Sequence, residues 1–221
     1  ALSSAASDVY KRQKLYIMLG VKPENVVMVD SKGVINDKRT DLNESKKQFI
    51  THRDIHTLAD AMKGADVFLG LSRADVLTTE MVQSMNDRPI VFALANPNPE
   101  IAYDKAKASR PDLIFATGRS DYPNQINNVL GFPYIFRGAL DVRATCINEE
   151  MKLAAVYAIA DLAKKRVPDV VNAAYGLECI SFGPEYIIPK ALDPRLLTTV
   201  APAVAKACLL YTSPSPRDTE R

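Results

Sequence analysis

The sequence contains no tryptophan, only two histidines among 221 residues, and three widely spaced cysteines, Cys146, Cys179 and Cys208. An odd cysteine count with no C-x-x-C pair supplies neither a zinc ligand set nor a disulfide framework, so all three are expected to be reduced, small core residues. His52 and His56 stand four apart on an expected helix amino terminus; with no third ligand they are read as surface residues and not as a metal site. No serine and histidine arrangement suited to nucleophilic catalysis is apparent. Charge of one sign is scarce too: 28 basic residues against 26 acidic leave +2, scattered along the chain, which argues against a nucleic-acid partner. No stretch approaches the roughly 20 apolar residues that cross a bilayer. The opening ALSSAASDVYKRQ lacks a signal-peptide core, so a cytoplasmic protein with no membrane partner is expected.

What is present is the composition of a folded domain, with 47% hydrophobic residues against 24% charged, so disorder of the whole chain is excluded. The two ends differ from the middle. Residues 1–13 and 209–221 are small, polar or rich in proline and serine and are expected to be a non-native or disordered leader and tail around a domain at 14–208. Within it, KLYIMLG reads as the last turns of a helix closed by Gly20, and Asn25–Val29 as a buried parallel strand ending at Asp30. Helical spacing over 55–63 precedes the strand DVFLGL. A helix from Thr78 to Met85, a strand from Pro89 to Leu94, a helix near Glu100 to Ala108 and a strand from Leu113 to Ala116 follow. Strands alternating with helices require crossovers and hence a parallel sheet, giving an α/β, Rossmann-type doubly wound fold. Beyond Gly118 the pattern turns helical, around 125–130, 148–166 and 194–207.

In such a sheet ligands bind where loops leave the carboxyl ends of the strands. Those ends read VD at 30, GLS at 70–72, ANPNPE at 95–100 and ATGRSD at 116–121. A carboxylate at Asp30 can accept hydrogen bonds from an adenosine ribose, or simply form a turn; Lys32, Lys38 and Arg39 nearby can neutralise a 2′-phosphate, leaving NAD against NADP open. Asn96 offers donor and acceptor from one uncharged side chain, between a strand and a helix whose first turn would hold Pro99 and Glu100. Asn127 and Asn128 lie in an apolar stretch, on adjacent flanks of a helix expected to start near Pro123, where unsatisfied amides are costly. None of the nine glycines forms a G-x-G-x-x-G loop, so the phosphate cradle is expected to have preceded residue 14.

From ATGRSDYPNQINNVLGFPYIFRGALDVRATCINEEMKLAAVYAIA onward, and in VKPENVVMVDSKGVI, ADVFLGLS, IVFALANPNPE and FGPEYIIPKALDPRL, the chain resembles the bacterial type of NAD(P)-dependent malic enzyme over roughly residues 14 to 208. The resemblance implies a partial NAD(P)-binding domain of an enzyme that oxidises malate and decarboxylates it to pyruvate, with NAD or NADP and a Mg or Mn ion, in a homo-oligomer. It implies that Asp30, Gly70, Leu71, Ser72, Asn96, Gly118 and Asn127 contact the cofactor and that Asn96 and Asn128 contact the substrate. The family's base, acid and metal ligands precede its glycine-rich loop, so no catalytic or metal residue is assigned and the chain alone is expected to be inactive. Its GLSRADVL loop places Arg73 and Asp75 where small, glycine-containing residues are expected. The alternatives are another dehydrogenase on the same sheet, such as an amino-acid dehydrogenase, or a dinucleotide-binding module without chemistry.

Overall fold

The computed structural model describes residues 13–211, which fall into two compact units divided between Gly118 and Arg119. The expected leader and tail lie almost wholly outside the described residues. Where they overlap, the order extends further than expected: Gln13 is already helical and buried, and the last helix runs on to Tyr211.

The first unit opens with α1 (residues 13–18), closed as expected at Gly20, whose φ of +100° suits glycine while the Val21 amide returns to the Tyr16 carbonyl. The Asn25–Val29 run does not join the parallel sheet. After a 3₁₀ turn at Pro23–Asn25 it yields only β1 (Val29–Asp30), which turns back onto β2 (Gly33–Val34) with Val29 opposite Val34. The reason is local pairing. Gly33 sits at φ +108°, where a Cβ would lie 2.5 Å from the His56 carbonyl oxygen, so a tight reversal is available and satisfies the strand within four residues. Two short helices follow, α2 (Glu44–Lys47) and α3 (Leu58–Met62), the latter opened by a reciprocal cap between Thr57 and Asp60.

The sheet itself is β3 (Val67–Gly70), β4 (Ile90–Ala93) and β5 (Ile114–Thr117), parallel and in that order, joined by α4 (Thr79–Gln83) and α5 (Tyr103–Ser109). This is the expected α/β class. Register puts Phe68, Val91 and Phe115 in one row and Gly70, Ala93 and Thr117 in the next row on the same face. That face carries the core, where Val91, Ala93 and Phe115 pack with Val82, Met85, Ile101, Ala106 and Leu113. The small residues of the Gly70 row admit another side chain at the carboxyl edge, where the Glu100 carboxyl group lies against Gly70.

The second unit is helical: α6 (Phe132–Asp141), α7 (Glu149–Ala163), α8 (Asp169–Ala174) and α9 (Arg195–Tyr211). The helix expected at 125–130 is instead irregular chain ending in a 3₁₀ turn, Asn128–Leu130. Leu130, Met151, Ala155, Leu162, Leu196, Val200 and Val204 form the core between α6, α7 and α9. Cys208 joins this core as expected. Cys146 and Cys179 are exposed, because both fall in polar connections between helices. Among the described residues no helix is long and apolar enough to cross a membrane.

Contact between α6 and α9 is close at Gly138, where a Cβ would overlap the Ala201 carbonyl oxygen and lie 2.8 Å from Val204 Cβ. Alanine gains roughly 1 kcal/mol in helix propensity, but a backbone carbonyl cannot rotate aside, so the overlap wins. Gly138→Ala is expected to lower stability on the order of 2 kcal/mol, read as a lower midpoint in urea unfolding of the chain.

Candidate functional site

The loops leaving β3 and β4 are joined through one side chain. Glu100 lies ahead of α5 and not in its first turn, as the sequence pattern had suggested, and it is fully buried. Its Oε1 accepts the Ser72 amide at 3.0 Å and its Oε2 the Ala95 amide at 3.0 Å. A buried carboxylate is costly unless hydrogen-bonded, and these donors are charge-assisted. A Cβ at Gly70 would overlap this carboxyl group, so Gly70 is explained by the close approach of Glu100. The backbone adds two further ties, from the Leu77 amide to the Glu100 carbonyl and from the Asp75 amide to the Pro99 carbonyl. Asp75 adopts φ +57°, a left-handed conformation that aspartate tolerates better than most residues, which is how this loop manages without glycine there.

Around this staple the expected contact residues are differently placed. Leu71 is half-buried, Ser72 and Gly118 are exposed, and Asn96, followed by a cis bond to Pro97, is exposed with its carboxamide unengaged. Thr117, in register with Ala93 and Gly70, was not foreseen: its Oγ1 is buried and has no hydrogen-bond partner at the carboxyl end of β5. Such an orphan is uncommon enough in a folded protein to point to a missing partner.

Asp30 is heavily engaged. Oδ1 accepts the Lys32 amide at 2.9 Å and Arg39 Nη1 at 2.7 Å, while Oδ2 accepts Arg39 Nη2 at 3.2 Å and Lys46 Nζ. Four donors fill the four lone-pair positions of a carboxylate. Partial burial pushes the Asp30 carboxyl up, but the hydrogen bonds from Arg39, Lys46 and the Lys32 amide outweigh it and bring it down to about 2. Arg39 is shared with Asp41, which also pairs with Lys32 at 2.7 Å, and Lys38 pairs with Asp54 on the surface. Of the cations near Asp30, Lys46 was not singled out from the sequence, because it stands sixteen residues away.

In the second unit the amides divide by role. Asn127 and Asn128 are both exposed, not embedded in apolar surroundings. Asn127 Oδ1 caps the 3₁₀ turn by accepting the Val129 amide at 3.0 Å; the Asn128 carboxamide is unengaged. The buried amide of this segment is Asn124, which donates to the Pro184 carbonyl at 2.7 Å and accepts the Ile187 amide at 3.0 Å, tying YPNQ to FGPEYII. His52 and His56 are exposed in irregular chain, and among the described residues no three histidine, cysteine or carboxylate side chains converge to hold a metal ion.

A β-α-β-α-β unit with polar loops at the carboxyl edge of a parallel sheet is the layout of half a dinucleotide-binding domain. Residues 20–174 match the family model described as "Malic enzyme, NAD binding domain", and the chain belongs to that family. It is 57% identical over 196 residues to an NADP-dependent malic enzyme of Halomonas elongata, covering 89% of this chain and 46% of that protein. It is 52% identical over 206 residues to an NAD-dependent malic enzyme of Rhizobium meliloti, covering 93% and 27%. The NAD-dependent malic enzyme of Thermotoga maritima superposes with a TM-score of 0.75 at 39% identity, covering 89% of this chain and 48% of that one. The chain thus spans less than half the length of each of these relatives.

The Asp30 cluster makes stability depend on pH in a set direction. A carboxyl lowered on folding contributes fully above its ordinary value near 4 and loses that contribution as pH falls through about 2. Asp30→Asn is expected to cost up to about 2 kcal/mol at pH 7. Urea unfolding of both proteins should show the difference narrowing below about pH 4.

Proposed function

We propose that this chain is the NAD(P)-binding part of an enzyme that oxidises malate with NAD(P) and releases carbon dioxide to leave pyruvate. The observation that carries the reading is the exposed, unengaged carboxamide of Asn96 at the carboxyl edge of the sheet, in a chain of the malic enzyme family; Asn128, in the second unit, is exposed likewise. A neutral amide can donate to a substrate carboxylate or to the nicotinamide carbonyl without adding charge. Gly70, Leu71, Ser72 and Gly118 would line the dinucleotide, with the buried hydroxyl of Thr117 offering a donor at the same edge. Asn127 supports Asn128 by capping its turn. When bound, the nicotinamide accepts the hydride from the malate hydroxyl carbon. Among the described residues no histidine, cysteine or carboxylate cluster fits a divalent ion. A homo-oligomer in the cytoplasm is part of the same proposal.

For the adenosine end we propose NADP over NAD. With its lone pairs filled, Asp30 can take a ribose hydroxyl only if a donor leaves, and Lys46 is the more exposed of its two cations, at 30% against 13% for Arg39. A 2′-phosphate would draw Lys46 away and free that position on Oδ2. In the full-length protein, Lys46→Ala is expected to raise KM for NADP about ten-fold and to leave KM for NAD unchanged or lower, because it frees the position on Oδ2; an equal rise for both would remove the assignment. Asn128→Ala and Asn96→Ala are expected to lower kcat/KM for malate by about ten- to a hundred-fold. A substrate panel including lactate and amino acids tests the activity itself, and absence of malate turnover in the wild type would overturn it.

A further inference from the structure

Glu100 is a buried acid that the functional reading leaves unused, and its surroundings are built to hold it. Its two oxygens are divided between two loops, one bond to the amide of Ser72 after β3 and one to the amide of Ala95 after β4. The glycine at position 70 admits its carboxyl group against the backbone of β3. The residues so tethered are the neighbours of those placed on the dinucleotide: Gly70, Leu71 and Ser72 on one side, Asn96 on the other. Helix starts usually draw acids to exposed positions in the first turn, where the macrodipole favours them modestly. Glu100 is instead withdrawn from solvent and spans two connections that have no sequence proximity, 28 residues apart in the case of Ser72.

We propose that Glu100 is a positioning residue for the cofactor: its carboxylate clamps the β3 and β4 loops into one edge, so that Ser72 and Asn96 present to the dinucleotide together. The role acts through those loops and not by contact with the reacting atoms, and it rests on the dinucleotide-binding reading above. A carboxylate is specifically required. The carboxamide of glutamine has the same shape, but it places an NH₂ group opposite one of the two amide donors, so one bond becomes a donor facing a donor.

The test uses the full-length protein and three readouts: KM for each substrate with kcat, direct binding of the reduced dinucleotide by its fluorescence without malate, and amide hydrogen exchange at Ser72 and Ala95. Glu100→Gln is expected to weaken dinucleotide binding in the absence of malate about ten-fold and to speed exchange at one of the two amides, with any loss in kcat/KM for malate no larger than that of Asn96→Ala. If that variant is too unstable to assay, Glu100→Asp, which keeps the charge and loses one methylene of reach, is expected to show the same pattern. Unchanged dinucleotide binding in a folded variant overturns the proposal, as does a loss of binding with exchange quickened throughout the first unit and not at Ser72 or Ala95. A wild-type protein that binds no dinucleotide overturns the functional reading and the positioning role together, and the wild-type measurement alone tells the two failures apart.

Discussion

A charged group without solvent must find its donors inside the protein, and the carboxylate of Glu100 finds two that belong to different loops. The consequence reaches along the sheet edge. Gly70 has to be glycine because the carboxyl group lies against it, and the same register row continues with Ala93 and Thr117, both small. Removing the acid would leave the Ser72 and Ala95 amides without their acceptor and open a void beside Gly70. Enlarging Gly70 would leave the acid nowhere to lie. The carboxyl edge of the first unit is therefore one mechanical element, although no two of its defining residues are adjacent in sequence.

The parallel strands were legible because β-branched and aromatic runs of the right length sit between turn residues, as at Val67–Gly70, Ile90–Ala93 and Ile114–Thr117. Asn25–Val29 has the same pattern and a different fate, since apolar content identifies a strand but not its partner, and the tight turn at Gly33 offered a nearer one. Helix α6 was missed for the opposite reason. FPYIFRGALD holds proline, glycine and three aromatics, a poor helix by propensity, and it is held by its packing against α9.

The site was partly readable. Asn96 was singled out between a strand and a helix and Asn128 in an apolar stretch expected to be helical; both are exposed in the structure, and Asn128 opens a 3₁₀ turn. Asn127 was read as their equal, yet its oxygen is used on the Val129 amide. Asn124 went unremarked although it is the buried amide of the segment, and the 60 residues between it and Pro184 explain why no local pattern reveals it. Glu100 escaped notice for a related reason: after NPNP an acid reads as a helix-start residue, and only the fold shows that its partners precede it.

Asp30 raises the sharpest question about reading function from a strand end. A carboxylate in this position is commonly understood as a ribose acceptor, which presumes free lone pairs. Here Arg39 binds through both terminal nitrogens and is anchored a second time by Asp41, so it is the hardest donor to displace. The Lys32 amide is fixed by the hairpin turn. Lys46 alone is held by a single flexible side chain on a four-residue helix, and it is the partner a competing anion can take at least cost. With its lone pairs occupied, Asp30 is a saturated member of an ion-pair cluster and not a ready hydrogen-bond acceptor, so its place at a strand end does not by itself make it a ribose contact.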